Sequence, residues 1–439
     1  MYKRQVLDIL TGDLPPDVEV LEEFPDCTLG TDEGRAMMQL IHDIAPGAKL
    51  LFHTAVTGKA GFAEGIRKLA DKGAQIIVDD IGYADELMFQ DGIISQAINE
   101  VKEHGVAYFY SAGNSGRLYY EAGYYAGIEP ISGDKAHNFA PSGEPDFYQK
   151  ITIPQGELFR LVLQWDNAAE SAGGASAVSD LDVFLLDADQ RRVLATGLAK
   201  NIGHDPVEFL SFVNESGNDF GTEFNIYISH RAGPAPTFLK YVFFGGITAP
   251  WPDDLPEEGA VANPAAMSID EYATHSGTIT GHPNATGAVA VGAIHYQQTP
   301  WFSQSLSSAK IEFFSSAGGT PVFFDADGNR ESQPFRRRKP DLVAPDGTNT
   351  SFFPAEDVES DVDSDGFPNF FGTSAAAPHA AALAALVKSS VNGSYLKPDG
   401  LYNFLRLGSL DLDDPFTPGT DSGYDSGTGY GLVQADRVF

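Results

Sequence analysis

Over the first quarter of the chain, short apolar runs alternate with one helical stripe. Residues 18–21, 49–52 and 74–78 are runs of strand length, while Met37, Leu40, Ile41 and Ile44 recur three or four positions apart, the period of a helix that buries one face. Thr31 stands at the expected N-cap of that helix, and Ala45, Pro46, Gly47 and Ala48 end it ahead of the next strand. Further on, the run GVAYF at 105–109 leads into the small-residue turn SAGNSG at 111–116, and an alanine-rich stretch opening at Ser374 continues through 380–387 as an apolar helix. Between these two stretches the period changes. From about 146 to 246 the segments FYQKITI, LFRLVLQW, SDLDVFLLDA, RRVLATG, EFLSFVN, EFNIYISH and FLKYVFFG alternate, separated by Gly, Asn, Asp and Pro turns. That pattern predicts an all-β sandwich inserted into an α/β domain. The expected division is a first α/β part at 6–145, the sandwich at 146–246 and a second α/β part at 247–439.

The chemistry concentrates in GTSAAAPH at 372–379. A helix opening at Ser374 aims its free N–H groups and positive dipole end at charge developing near the hydroxyl, which suits a nucleophile in acyl transfer. Ala375, Ala376 and Ala377 keep the first turn slim, so a substrate backbone can approach. The same letters also make an ordinary N-cap. His379 lies five residues into the helix and faces away from Ser374. Asn114 sits on a glycine-bracketed turn after a buried strand, where a side-chain amide can donate to a tetrahedral oxyanion; Asn-Ser-Gly is equally a common turn.

These two stretches resemble the serine and oxyanion-asparagine motifs of the subtilisin superfamily, and ATGAVAVGAI (285–294), FFSSAGG (313–319) and KPDLVAPDG (339–347) resemble its late strands and loops, in family order. The resemblance implies a subtilisin-like α/β fold with a doubly wound, mostly parallel sheet. It implies a serine endopeptidase acting on protein or peptide substrates, secreted or extracellular, with Ser374 as nucleophile, Asn114 as oxyanion donor, and Gly82, Ser111, Ala112 and Gly113 along the substrate. The family's histidine position, in the segment 30–55, is filled by Glu33. That replacement distinguishes the sedolisin, or serine-carboxyl, peptidases, whose second carboxylate one helical turn later is here Met37.

A partner for Glu33 is sought in Asp79 and Asp80, after the strand 74–78. Strand alternation puts the two on opposite faces, and alignment favours Asp80. Two adjacent carboxylates cannot easily both ionise, so a Glu33/Asp80 pair could share a proton as base and acid. A DD pair can equally solvate a loop edge, and a first-turn glutamate is good capping chemistry. His42 and His53 do not occupy the family's histidine position. The missing histidine also admits a catalytically inactive subtilase scaffold that binds peptides or proteins. The sandwich carries none of the matched motifs; its DLDVFLLD stretch resembles jelly-roll modules of secreted peptidases, and it is expected to be separable from the chemistry.

Composition sets the remaining limits. The formal net charge is −33, from 28 basic against 61 acidic residues, which argues against nucleic acid or an anionic membrane as partner, and no apolar run approaches transmembrane length. The single cysteine, Cys27, excludes an internal disulfide framework. No cofactor is required by the resemblance. Asp361, Asp363 and Asp365 reproduce the opening of a calcium loop, but Gly372 stands where an EF-hand needs glutamate, leaving at most a partial calcium site. MYKRQ at 1–5 reads like a sequencing-adapter end, and Asp8 is followed by ILTG without the family's Asp-Ser/Thr-Gly pattern. The family's first core strand, which ends in the catalytic aspartate, is therefore read as missing, with Asp8 as the alternative acid.

Overall fold

The computed structural model describes residues 2–24, 33–244, 267–274, 277–302, 310–351, 361, 363–390, 393–414 and 422–438. Cys27, Thr31 and the expected sandwich end at 246 lie outside these residues. Helix α1 (Tyr2–Thr11) leads to β1 (Glu19–Glu22), α2 (Glu33–Ile44), β2 (Leu51–His53), α3 (Gly58–Asp71), β3 (Ile76–Asp79), α4 (Ile93–Glu103) and β4 (Ala107–Ser111). After the sandwich come β5 (Ala288–His295), β6 (Leu342–Asp346), α5 (Thr373–Ser389) and α6 (Pro398–Gly408).

Strands β3 to β6 pair in parallel, in the spatial order β6-β5-β4-β3. Their side chains alternate between two apolar layers. Phe109, Val289 and Leu342 pack against Ala376, Ala380 and Leu401 of α5 and α6, whereas Ile77 and Tyr108 pack against Phe62, Ile66 and Ile98 of α3 and α4. Helices on both faces make the sheet doubly wound, which is why its strands read as continuous apolar runs. The alanines of α5 leave little bulk between helix and sheet, so the N-terminus of α5 is held at the carboxyl end of the strands. Ligand crevices of open α/β sheets form at that end.

The sheet does not continue to β2. Strands β1 and β2 pair in parallel with each other but form a separate sheet. Between β2 and β3 lies a cavity of about 910 Å³, lined by Phe52 and Ile77 from the two facing strands, by Phe62 and Ile66 of α3, and by Met37 and Ala381 of α2 and α5. Helix α1 occupies the segment where the alternative triad acid was sought. Asp8 stands on that helix rather than at a strand end, and its buried carboxylate accepts from Arg35 Nη1 at 2.6 Å.

The inserted domain is a sandwich. One sheet holds Val193–Gly197, Asp180–Asp187, Glu223–Ala232 and Gln149–Thr152 among its strands; the other runs Val207–Val213, Leu158–Trp165, Phe238–Phe243, Tyr119–Gly123. Trp165, Leu163, Val183, Ile226 and Tyr241 fill the space between them. The sheets reach past the expected limits of 146 and 246, because Tyr119–Gly123 pairs with Phe238–Phe243 and Ser268–Ile269 pairs with Gln149–Thr152. Those flanking strands are two to five residues long, too short for alternation to register as a signal.

The sandwich shares an apolar core with the α/β domain. Met88 and Phe89, from the loop ahead of α4, pack with Val162 and Val242 of the sandwich and with Phe323 and Phe324. Buried Lys240 reaches Glu121 at 3.2 Å, and the same glutamate pairs with Arg336. Replacing 146–246 with a short Gly/Ser linker is therefore expected to remove Phe238–Phe243 from beside Tyr119–Gly123 and to expose that core. Circular dichroism and size-exclusion chromatography should show an unfolded or aggregated product; a compact variant with native melting would restore separability.

Candidate active site

The first turn of α5 carries the site. Gly372 caps the helix with φ of +103°, a conformation that favours glycine, and its N–H donates to Asp346 Oδ2 at 2.9 Å. The following Thr373 ties this turn to the end of β4. Its N–H and its hydroxyl both donate to Asn114 Oδ1, at 3.0 and 2.9 Å, while the hydroxyl accepts from Gly113 N at 3.1 Å. Two donors on one oxygen fix the amide's orientation, so Asn114 Nδ2 is turned outward and has no partner among the described residues. A Cβ at position 372 would stand 3.2 Å from Nδ2 and 3.5 Å from Ser374 Oγ, so the missing side chain leaves open the small space that both atoms border. The Ser374 N–H, in the unpaired first turn of the helix, is also without a partner among the described residues.

Glu33, the first residue of α2, comes to the same place. Its carboxyl lies close enough to Asp80 and Ser374 to interact with both, and Asp80 in turn interacts with Ser374 and accepts from the Ser111 hydroxyl. Burial raises Glu33 above the usual carboxylate range, against the pull of the Asp80 and Ser374 hydrogen bonds. Asp80 is pushed up much further, first by burial and then by the charge of Glu33. Two interacting carboxyls in a dry site do not readily both ionise, and burial disfavours the charged form of Asp80 more than that of Glu33. Glu33 thus stands beside a serine hydroxyl, with two N–H donors nearby that have no partner among the described residues.

Asp79 turns to the opposite face. It accepts from the Tyr108 hydroxyl and stands 3.2 Å from Nε2 of buried His282, whose Nδ1 is 2.7 Å from Glu86. Burial opposes the charge on this imidazole, but Glu86 and Asp79 together raise it to about 10, so it stays protonated and ties together the two ends of the loop that carries Asp80 and Gly82. No sequence signal points to His282, because its partners lie some two hundred positions upstream.

A Cβ added at Gly82 would meet the Phe244 ring at 3.5 Å and the Tyr110 hydroxyl at 3.8 Å. Ser111, Ala112 and Gly113, expected along the substrate, are engaged internally. Ser111 supports Asp80, Ala112 donates its N–H to the Val291 carbonyl at 2.9 Å and sits in an apolar cluster, and the Gly113 carbonyl accepts from Ser316 N at 2.8 Å. These contacts hold the turn that carries Asn114 in place. His42, His53 and His379 stand apart: His53 bonds Thr54 and Glu22, and His379 bonds the Ala375 carbonyl. The side-chain oxygens of Asp361, Asp363 and Asp365 lie within 4.8 Å of one another. Each is engaged by a protein donor: Asp361 by the N–H groups of Asp365 and Gly366, Asp363 by the Tyr296 hydroxyl, and Asp365 by the Asn349 amide.

The second half of the chain has a recognisable relative in sequence. Residues 254–431 match the subtilase family, Peptidase S8. That match supports a serine-type peptidase in general, and with it the sheet just described is of subtilisin-like form. Among solved structures the chain is similar to the CspB protease of Clostridium perfringens, at 14% identity over 89% of this chain and 74% of that one with a TM-score of 0.49. It is similar also to a lanthipeptide protease, at 16% identity over 98% and 83% with a TM-score of 0.41. No curated protein matches the sequence. No helix among the described residues is long and apolar enough to cross a membrane.

Proposed function

We propose that this chain is a serine endopeptidase of the serine-carboxyl kind, acting on proteins or peptides outside the cell. The observation that carries the reading is the convergence of the Glu33 and Asp80 carboxyls on Ser374 at the N-terminus of α5. Ser374 Oγ attacks the scissile carbonyl and its proton passes to ionised Glu33, which later returns it to the leaving amine. The oxyanion receives the Ser374 N–H and Asn114 Nδ2, both free of other partners among the described residues. Asp80, protonated and held by Ser111, keeps the second carboxyl neutral, so that Glu33 rather than the pair carries the negative charge. A surplus of 61 acidic over 28 basic residues fits neither a nucleic acid nor an anionic membrane as partner.

A fluorophosphonate probe tests this directly. Incubation of the full chain should attach one equivalent to Ser374, located by peptide mass spectrometry, and Ser374→Ala should abolish it. A chain that binds peptides yet takes no label would instead be an inactive scaffold.

A further inference from the structure

A second buried carboxyl pair lies directly behind the serine turn. Asp346, the last residue of β6, is fully buried, and its Oδ2 accepts from the Gly372 N–H at 2.9 Å. Glu312 hydrogen-bonds with Asp346 from the neighbouring loop, whose own backbone is fixed by Glu312 N donating to the Ala293 carbonyl of β5 at 2.9 Å. If both groups were ionised, Glu312 Oε1 and Asp346 Oδ1 would be buried acceptors without a donor. A single proton between the two carboxyls satisfies them together. Burial raises both groups, Glu312 the more, so the proton sits on Glu312 and leaves Asp346 as the charged acceptor. No lysine or arginine pairs with either carboxyl among the described residues. The other titratable groups on the packed elements are His295, in register with Asp346 on β5, Asp363, which acts on His295, and the Glu33–Asp80 pair beyond Ser374.

We propose that Glu312 and Asp346 are positioning residues for the serine turn, with Glu312 donating its proton to Asp346 so that the Asp346 carboxylate holds the Gly372 N–H and thereby sets the Ser374 hydroxyl beside Asn114. Gly372 contacts both of those groups, so a shift of its peptide plane moves the turn on which Ser374 and the oxyanion space depend. The role rests on the peptidase reading for its chemical consequence, but the clamp itself can be measured without any reaction. As pH falls and Asp346 takes up a proton, the carboxylate becomes a weaker, neutral acceptor and the turn loosens.

Hydrogen exchange of the segment 370–376, corrected for the intrinsic pH dependence of exchange, reads the clamp, and fluorophosphonate labelling reads its consequence. The wild-type chain should lose protection of Gly372 on acidification through the raised Asp346 titration. Glu312→Gln should move that loss to lower pH, since an amide still donates to Asp346 but no longer competes with it for a proton. Asp346→Ala should lose Gly372 protection tenfold or more at every pH and slow labelling, whereas Asp346→Asn, which keeps an acceptor oxygen, should restore protection and remove its pH dependence. Unchanged protection in Asp346→Ala, or an unmoved transition in Glu312→Gln, overturns the proposal; if Asp346→Ala does not fold, the loss of pH dependence in Asp346→Asn decides it. Protection that changes as expected in a chain that takes no label would uphold the clamp and reject the nucleophilic serine.

Discussion

Glu33→Gln is expected to lower kcat/KM for a small chromogenic peptide by about 10,000-fold, and Ser374→Ala by at least as much, with little change in melting temperature for either. Glutamine keeps the shape and hydrogen bonds of Glu33 but cannot accept the serine proton. Asn114→Ala should cost about 3 to 4 kcal/mol of transition-state stabilisation, the usual cost of losing one oxyanion donor. The pH profile separates this scheme from one built on histidine. Activity requires Glu33 ionised, so the rate rises with pH through the Glu33 titration, which burial sets above the ordinary glutamate range of about 4.3. It requires Asp80 protonated, so the rate falls again at higher pH, where Asp80 ionises. Both limbs belong to the coupled pair. Asp80→Asn, fixed in the neutral state, should lose the alkaline limb. An acidic limb that survives in Glu33→Gln at measurable activity would assign the base to another residue.

The legible parts of this molecule were those in which one short segment contains its own explanation. GTSAAAPH announces both a helix start and the free N–H groups in front of it, and ILTG after Asp8 has the wrong letters for a strand-end acid; Asp8 indeed lies on a helix. The alternation of 158–165 and 180–187 likewise reads directly as strands with one buried face. Asp79 and Asp80 could be separated by alternation alone, since neighbours on a strand point apart, and in the structure one meets His282 while the other meets Ser374.

The illegible parts depend on residues far apart in the chain. Glu312 and Asp346 pair across a loop, His282 meets two acids from another layer, and neither cluster has a spacing that sequence could reveal. The internal contacts of Ser111, Ala112 and Gly113 are hidden from sequence for a related reason. Small residues before an asparagine do not announce their partners Asp80, Val291 and Ser316, which come from other segments of the chain. The shared core of Met88, Phe89 and Val242 was hidden in the same way, because each residue belongs to a segment with its own satisfactory local pattern.

The largest stability effect should come from filling the space between β2 and β3. Residues of both strands line a cavity of about 910 Å³, together with residues of helices α2, α3 and α5. Each is the last strand of its own sheet, so each presents an unpaired parallel edge to the cavity. A space of this size, lined by edge strands of two separate sheets and by helices, has room for a further strand. Helix α1 immediately precedes β1, and a helix packed on a parallel sheet ordinarily connects two parallel strands of it. An extended apolar segment added ahead of α1 is expected to enter this space, its C-terminal end arriving beside Glu33 and Asp80, which border the cavity. Each buried peptide group that gains a partner recovers about 1 to 3 kcal/mol, and the apolar side chains add their transfer energy. Several kcal/mol in all should raise the melting temperature by about 10 °C. An added five-residue Val/Ile strand ending in aspartate is the test, against the same strand ending in alanine and one interrupted by proline. Both uninterrupted strands should raise the melting temperature and the proline version should not, while only the aspartate version, placed where the subtilase resemblance puts its catalytic acid, should also raise peptide turnover. Equal melting of all three would mean that the edges of β2 and β3 do not accept a strand.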